Sequence, residues 1–257
     1  MESDGLYIKS HAMKVIHKTT GEENEFAPLG VRLYLGGCTF GCLYCYGPQT
    51  LRRTREAFEN HTRLRPDILR CLERDAQRIK GDDREILVTF SSDPYQPLET
   101  KLGTTRQAIQ ILINYGLRVM ILTKGGMIAA RDFDLLEAYD RCSFGTSLVF
   151  TNQADASHWE PNAPLVADRI EAMNQAHGRG IKTWMCLEPV IDPDQALDLI
   201  KMLHPVVDHW KVGILNYRKL PRPVNWIQFR EGARKLLDSL GADYHLKQSL
   251  TGRKKGT

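Results

Sequence analysis

The sequence predicts an α/β protein built as a partial (β/α)6 barrel. Six short apolar runs rich in β-branched and aromatic residues alternate with segments whose apolar residues recur at helical spacing. The chain has 257 residues and contains no repeat or Gly/Ser-rich linker that would divide it into two large domains. Alternating strands and helices favour a parallel sheet with right-handed crossovers, and six such units fit this length.

The predicted strands occupy residues 31–35, 86–90, 119–122, 143–150, 181–187 and 209–215. Amphipathic helices are predicted over 68–79, 108–113, 166–173, 196–200 and 226–237. Thr104 with Gln107, and Asp192 with Pro193, have the residue types that begin helices, and Gly116 is expected to end one. Parallel sheets bind ligands at the carboxyl ends of their strands, so we expect functional residues directly after these runs.

The chain is interpreted as an N-terminal extension (1–29), a core barrel (30–216) and a helical, basic C-terminal segment (217–257) that packs on the barrel. Its longest apolar stretches are too short to span a bilayer, and the N-terminus lacks the pattern of a signal peptide. We therefore expect a cytoplasmic protein without a membrane partner. The net charge of +4 permits an anionic partner without identifying one.

Three of the six cysteines, Cys38, Cys42 and Cys45, lie within eight positions directly after the first predicted strand. Glycines in the same loop allow a short segment to fold around a bulky inorganic group. Structural zinc usually needs four ligands, commonly two cysteine pairs, and the sequence has no second pair. Three thiolates instead leave one iron of a cubane without a protein ligand. Cys71 is expected in the core, whereas Cys186 lies near a strand end that could face a cavity.

The segment from Gly36 to Pro48 resembles the CxxxCxxC signature of the radical S-adenosylmethionine (SAM) superfamily. Tyr44, the aromatic residue before the last cysteine, also matches. The resemblance implies a [4Fe–4S] cluster on Cys38, Cys42 and Cys45, whose open iron binds the amino and carboxylate groups of SAM. It also implies that the loop backbone near Tyr44 contacts the adenine.

The resemblance covers residues 30–215 and is closest to the spore photoproduct lyase-like (SplB, DNA repair photolyase-like) branch. The segment TFSSDPYQPLE is similar to a strand-end motif of this branch, which implies that Ser92 and Asp93 hold the amino end of SAM. A simple turn is the alternative for these two residues. The segment LTKGG resembles a motif whose lysine reaches SAM, here Lys124, with a solvated lysine as the alternative. Ser147 resembles a serine that contacts the ribose.

The segment CLEPV, residues 186–190, is similar to another motif of the branch. A buried glutamate at a strand end needs a cation or a ligand, so Glu188 is expected to form a structural salt bridge or a substrate contact. In the branch, a cysteine two residues before the SAM-holding serine donates a hydrogen atom, and this chain has Phe90 there. Thymine-dimer reversal by that route is not expected, although Cys186 or a tyrosine could replace the missing thiol. Cys186 and Glu188 are therefore the candidate catalytic residues.

The resemblance implies a lyase- or oxidoreductase-type enzyme in which the cluster passes one electron to SAM and generates a 5′-deoxyadenosyl radical. Flavodoxin or ferredoxin is the implied electron donor. Basic and aromatic residues support a nucleic-acid substrate, with a solvated helix face and core aromatics as the alternative. This set comprises Arg52, Arg53, Arg55, Trp210, Tyr217, Arg218, Lys219, Arg222 and Trp226. The competing functions are the same chemistry on a peptide or small metabolite, and a non-catalytic iron–sulfur or zinc protein.

Overall fold

The computed structural model describes residues 14–215 and 223–252. The strands are β1 (Ile16–Lys18), β2 (Leu29–Val31), β3 (Tyr34–Leu35), β4 (Arg63–Leu64), β5 (Glu85–Val88), β6 (Arg118–Thr123), β7 (Cys142–Ser147), β8 (Lys182–Val190), β9 (His209–Ile214) and β10 (Asp243–Leu246). The helices are α1 (Gly47–Thr50), α2 (Arg55–Asn60), α3 (Ile68–Arg78), α4 (Glu99–Leu102), α5 (Thr104–Asn114), α6 (Phe133–Glu137), α7 (Gln153–Trp159), α8 (Val166–Gly178), α9 (Pro193–Leu203), α10 (Trp226–Ser239) and α11 (Gln248–Thr251). Segments of 3-10 helix span Gly21–Glu25, Gly126–Asp132 and His204–Val206.

Eight of these strands form one sheet in the order β1-β2-β5-β6-β7-β8-β9-β10. Neighbouring strands from β2 to β10 are parallel, while β1 pairs antiparallel with β2. Each step from one parallel strand to the next passes through at least one helix. Because β1 and β10 lie at opposite edges of the sheet, the barrel is open. These observations confirm the predicted α/β fold with a partial barrel.

The predicted elements are found, with different boundaries at several points. The strand predicted over 31–35 is divided between β2 and β3, and the run over 143–150 ends as a strand at Ser147. Thr104 is the first residue of α5 and does not cap the helix. The cap position is occupied by the preceding glycine, whose backbone has the left-handed conformation. Asp192 caps α9 as predicted and accepts two backbone N–H bonds of the first turn. Gly116, with a φ of 70°, follows the end of α5 as predicted.

The sequence analysis missed strands β1 and β10, which lie at the two edges of the sheet. The first falls within the predicted N-terminal extension, and the second falls within the predicted C-terminal segment. Both regions therefore contribute strands to the same sheet as the core. The proposed division of the chain into three parts stays a prediction.

Apolar side chains cover both faces of the sheet, as parallel sheets require. On the helix-covered face, one core cluster packs α3 and α5 against β5 and β6, and a second packs α9 and α10 against β8 and β9. On the opposite face, Leu87, Met120 and Trp184 form a third, smaller cluster with Phe26. Cys71 and Cys142 lie in the first cluster, so both are packed core residues. Within the described parts of the chain, none of the helices combines the length and the apolar composition that crossing a membrane demands.

Candidate active site

A cleft opens at the carboxyl ends of the parallel strands. It contains about 1040 Å³ of space not filled by atoms, part of it open to solvent. Its lining includes every residue proposed as a site residue from the sequence: Cys38, Cys42, Tyr44, Cys45, Ser92, Asp93, Lys124, Ser147, Cys186 and Glu188. Strand ends far apart in the sequence therefore meet in one cleft, where the parallel topology places them. The roles of these residues stay predictions.

Glycines shape the loop that carries the three cysteines. A Cβ atom at Gly37 would lie 2.4 Å from the ring of Phe58. A Cβ atom at Gly47 would lie 2.5 Å from the same ring and 3.2 Å from the Sγ atom of Cys45. Any larger residue would displace the ring or the thiol, so only glycine fits at these two positions without a shift.

Side chains and backbone groups from two sides hold the loop. Arg55 donates hydrogen bonds to the carbonyl oxygens of Cys42 (3.1 Å) and Leu43 (3.2 Å). The N–H group of Leu43 donates to the carbonyl oxygen of Trp159 (2.8 Å), and Asn162 donates from its side chain to the loop (3.1 Å). The guanidinium of Arg55 therefore positions the cysteine loop, and its contact with a nucleic acid stays a prediction.

The three loop thiols are chemically suited to a cluster. Burial raises the pKa of Cys38 and of Cys45, and it raises the pKa of Cys42 to about 12. The thiolate is the form that binds metal, so cluster binding must displace these protons. Among the described residues, no group of three His, Cys, Asp or Glu side chains forms a site for a single metal ion. Three free thiols that line one cleft fit a four-iron cluster that leaves one iron without a protein ligand.

Lys124, directly after β6, places a positive charge in the cleft wall. Its Nζ atom donates to the Oγ atom of Ser147 (2.8 Å) and lies 3.9 Å from Glu160 and 5.5 Å from the centre of the Tyr44 ring. Burial lowers the pKa of Lys124, but the attraction of Cys42, once it is a thiolate, and of the Glu160 carboxylate outweighs this and raises the pKa overall. The amine is therefore an ammonium, a group that pairs readily with a carboxylate.

Glu160 and Arg169 form a buried ion pair that the sequence analysis missed. Their closest oxygen and nitrogen atoms are 2.5 Å apart, and their side chains are 0% and 1% exposed. The hydroxyl of Tyr44 donates to the other carboxylate oxygen, and Arg169 donates to the carbonyl oxygen of Ser147 (3.4 Å). The pair thus connects the cysteine loop to the end of β7. A sequence signal existed, because Arg169 lies on the apolar face of α8, three residues after Val166.

Asp93 joins the ends of β5 and β6. Its carboxylate accepts hydrogen bonds from the hydroxyl of Thr123 (2.5 Å) and from the backbone N–H groups of Lys124 (2.7 Å) and Tyr95 (2.8 Å). Burial raises the pKa of Asp93, although these hydrogen bonds act in the opposite direction. Its neighbour Ser92 lies on the cleft wall, so the carboxylate holds the segment that presents Ser92.

The end of β8 contributes Cys186 and Glu188. Burial raises the pKa of Cys186 to about 12, so the thiol keeps its proton at neutral pH. Glu188 accepts a hydrogen bond from the Nζ atom of Lys247 (2.7 Å), which confirms the expected cation partner. Burial raises the pKa of Glu188 to about 7, even though Lys247 acts to lower it. Lys247 itself was missed, because nothing in the sequence distinguishes it from other lysines near the C-terminus.

Only some of the basic and aromatic residues predicted to contact a nucleic acid are exposed enough to do so. Trp210 is fully buried in the core, so its interpretation as a base-stacking residue is wrong. Trp226 is half-buried and packs against Phe229 on α10, while Arg52 and Arg53 are exposed. Tyr217, Arg218, Lys219 and Arg222 lie outside the described residues.

The family of the chain follows from its similarity to known proteins. The family model for the radical SAM superfamily matches residues 33–205. The chain belongs to the radical SAM superfamily. The matched region of this radical SAM protein includes the cysteine loop, Lys124 and Glu188, whereas Lys247 lies beyond it. Membership implies an enzyme that uses a [4Fe–4S] cluster and SAM.

Individual proteins resemble this chain in sequence or in fold. The uncharacterised protein ORF301 of Acidianus two-tailed virus is 24% identical over 176 residues, which cover 64% of this chain and 57% of the viral protein. A spore photoproduct lyase variant with bound AdoMet and dinucleoside spore photoproduct superposes with a TM-score of 0.70 at 14% identity, over 91% of this chain and 79% of the lyase. SuiB of Streptococcus suis superposes with a TM-score of 0.64 at 13% identity, over 85% of this chain and 49% of SuiB.

The structural likeness shows a shared fold and confirms the predicted resemblance to the spore photoproduct lyase-like branch. The chain spans little more than half of the viral relative and about half of SuiB.

Proposed function

We propose that the protein cleaves SAM reductively at a [4Fe–4S] cluster bound by Cys38, Cys42 and Cys45, and that it acts on a nucleic acid or nucleobase-like substrate. The observation that carries this proposal is the meeting of three free cysteines and the polar strand ends in one cleft. When bound, the reduced cluster supplies one electron to the sulfonium of SAM, whose C5′–S bond breaks to give methionine and a 5′-deoxyadenosyl radical.

The remaining cleft residues would bind and orient SAM. The ammonium of Lys124 is suited to the methionine carboxylate, since it is half-buried and its one ion pair within the described residues, with Glu160, is 3.9 Å long. Ser92 and Asp93 would hold the amino group, and the hydrogen bonds of Asp93 to the backbone of Tyr95 and Lys124 keep this segment in place. Ser147, which accepts a hydrogen bond from Lys124, would contact the ribose. Asp93 and Ser147 are buried and Ser92 and Lys124 are half-buried, which limits the access of water to a reactive radical.

Aromatic rings in the same cleft support a base-like substrate. Phe26, Tyr46 and Phe90 line it, and the ring of Phe90 lies 5.4 Å from that of Phe26 and 5.8 Å from that of Tyr46. Flat aromatic surfaces of this kind stack bases. The lyase that shares this fold binds a dinucleoside, which agrees with such a substrate.

Cys186 is the candidate hydrogen-atom donor in this chain. It lines the cleft, and its raised pKa keeps the S–H bond that a donor needs. Its position on β8 differs from that of Phe90, which follows β5 and has no transferable hydrogen of this kind. Glu188, two residues further along β8, would contact the substrate.

An external reductant such as flavodoxin or ferredoxin is required by this proposal. Cys71, Cys142 and Cys186 are buried at separate places, so the described residues hold no second cysteine group for an auxiliary cluster. Free thiols throughout also fit a reducing cytoplasm.

The test is anaerobic reconstitution with iron and sulfide, followed by addition of SAM and dithionite and quantification of 5′-deoxyadenosine. The wild-type protein should produce it, and a variant with Cys38, Cys42 and Cys45 all changed to alanine should not. Cys71→Ala serves as the matched control, because this cysteine lies in the core away from the cleft. A cluster-loaded wild type that neither binds nor cleaves SAM would contradict the proposal.

The substrate class is tested in the same assay with oligonucleotides, damaged oligonucleotides, peptides and small metabolites. Production of 5′-deoxyadenosine should rise with a nucleic acid or nucleoside. A rise only with peptides or metabolites would keep the SAM chemistry and reject the nucleobase-like substrate.

A further inference from the structure

Residues 52–63, which we call the loop cover, include α2 and pack against the cysteine loop. The ring of Phe58 contacts two glycines of the loop, and a Cβ atom at Gly36, where the loop begins, would lie 2.5 Å from the carbonyl oxygen of His61. Arg55 donates hydrogen bonds to two carbonyl oxygens of the loop. Residues 55, 58 and 61 are spaced three apart and share one side of the helix, so the other side of α2 faces away from the loop.

The loop cover is a single layer of protein. Phe58, on the inner side of α2, is 2% exposed, whereas Glu56 and Asn60 are exposed. A helix with its side chains is about 10 Å across, so a protein docked on the outer side of α2 would come within about that distance of the cysteine loop. Because electron transfer between proteins requires a close approach of the two redox centres, this side is suited to a redox partner.

Arginines give the exposed surface of the loop cover a positive charge. Three of them are exposed, and their side chains form no ion pair or hydrogen bond with another described residue: Arg52, Arg53 and Arg63. Arg55 and Glu59, by contrast, lie 2.5 Å apart and neutralise each other. Glu56 is the one exposed carboxylate among residues 52–63. The exposed surface of the loop cover therefore carries more positive than negative charge.

The segment on the other side of the cysteine loop has no such charge. Residues 153–162 contact the loop through the carbonyl oxygen of Trp159 and the side chain of Asn162. This segment contains no lysine or arginine. The three exposed arginines of the loop cover are also not among the described residues that line the cleft, so a base bound in the cleft does not contact them. A negatively charged protein that approaches the loop is therefore attracted to the loop cover.

We propose that the loop cover is the docking surface for an acidic one-electron carrier protein, which it attracts through Arg52, Arg53 and Arg63. This inference rests on the proposed function, which requires an external reductant, and adds the surface and the charge of that partner. The carrier is oxidised by one electron and the cluster is reduced by one electron, while no bond forms or breaks. Exposed charges mainly raise the association rate, which suits a partner that must leave after each electron.

The first test measures binding of a purified flavodoxin of acidic pI to the cluster-loaded protein by isothermal titration calorimetry, without SAM or reductant. Reversing two charges with Arg53→Glu and Arg63→Glu together should weaken the affinity about tenfold at about 50 mM salt. The loss should largely vanish at about 500 mM salt, where exposed charges are screened.

Lys235→Glu is the matched control, because this exposed lysine lies on α10, which packs near β8 and β9, and its replacement changes the charge in the same direction. Its affinity for the flavodoxin should equal that of the wild type. An equal loss of affinity in the control, or no loss in the double variant, would overturn the inference. Wild-type affinity weaker than millimolar at low salt would also overturn it.

The second test compares two reductants in the production of 5′-deoxyadenosine. Arg63→Glu should lower the rate about tenfold with limiting photoreduced flavodoxin, because a charge that guides docking acts on association. With excess dithionite the rate should be unchanged, since a small reductant does not need the docking surface. An equal loss with both reductants, at equal iron per chain, would assign Arg63 to the cysteine loop itself and contradict the inference.

A single-stranded oligonucleotide tests the other anionic partner. If the double variant binds the oligonucleotide more weakly than the wild type but binds the flavodoxin equally well, the loop cover contacts a nucleic acid and the inference is wrong. Equal oligonucleotide binding in the two proteins, together with the loss of flavodoxin affinity, supports the carrier.

The two proposals fail in distinguishable ways, since flavodoxin binding is measured without SAM cleavage. A protein that binds flavodoxin through these arginines but cleaves SAM with neither reductant would reject the proposed function alone. A protein that cleaves SAM with dithionite, and whose arginine variants bind flavodoxin as the wild type does, would reject the docking surface alone.

Discussion

Replacing Arg169 with methionine should destabilise the fold by about 3 kcal/mol, because it leaves the buried carboxylate of Glu160 without its nearest cation. The two side chains are 1% and 0% exposed and their charged atoms are 2.5 Å apart, so water cannot replace the lost partner. Removing one member of a buried ion pair costs about 3–5 kcal/mol. We expect the lower end of that range, since the Tyr44 hydroxyl and Lys124 still face Glu160.

The assay is urea unfolding of the cluster-free protein, followed by circular dichroism. With an m-value of about 3 kcal/mol per M, the unfolding midpoint should fall by about 1 M. Arg179→Met, directly after the same helix, is the matched control, because its ion pair with Glu137 is 3.8 Å long and the two side chains are 43% and 50% exposed. Such an exposed pair contributes about 0–1 kcal/mol.

A double-mutant cycle assigns the loss to the pair itself. Glu160→Gln should be destabilising alone, and the double variant should lose less than the sum of the two single losses, with a coupling energy of about 1–3 kcal/mol. If Arg169→Met shifts the midpoint no further than Arg179→Met, or if the two losses simply add, the buried pair does not stabilise the cleft as argued.

Three further predictions concern other residues of the cleft. Gly47→Ala should sharply lower the iron bound per chain after reconstitution, since its methyl group would lie 2.5 Å from Phe58, whereas Gly178→Ala has open space and should load normally. Thr89→Val should leave the free energy of unfolding unchanged or raise it by about 1 kcal/mol, because the lost hydroxyl has no partner; a loss above about 1 kcal/mol in urea unfolding would reveal an internal partner. The pKa of Glu188 is raised from 4.5 to about 7, so the folded state binds more protons between these values and stability should fall as the pH rises through them. The free energy of unfolding should change by at most about 1.4 kcal/mol per pH unit, and Glu188→Gln should lack this pH dependence. Equal pH dependence in both proteins would show that a group other than Glu188 causes it.

The sequence predicts this cleft well because its parts are local signals joined by a simple topology. An apolar run followed by a polar residue marks a strand end, and parallel strands place all such ends at one edge. Ser92, Lys124 and Ser147 come from three different strands, yet each could be located by the run before it. The cysteine loop was recognisable for the same reason, since spacing and glycines lie within one short segment.

The ion pairs that join different segments around the cleft could not be predicted from the sequence. Glu160 and Arg169 are nine residues apart, but their pairing depends on how the segment after α7 folds back onto α8. Lys247 and Glu188 are 59 residues apart, and their contact requires β10 to add to the sheet beside β9. That strand has only four residues and forms along the free edge of β9, so its own sequence pattern is weak.

The cations near the cysteine loop differ in how closely they are paired. Arg169 lies 2.5 Å from Glu160 and Arg55 lies 2.5 Å from Glu59, so the charges of both are already matched by carboxylates of this chain. Lys124 lies 3.9 Å from Glu160, a carboxylate that Arg169 already neutralises. Lys124 is therefore the cation of this group that can best accept a further carboxylate, as the proposed contact with SAM requires.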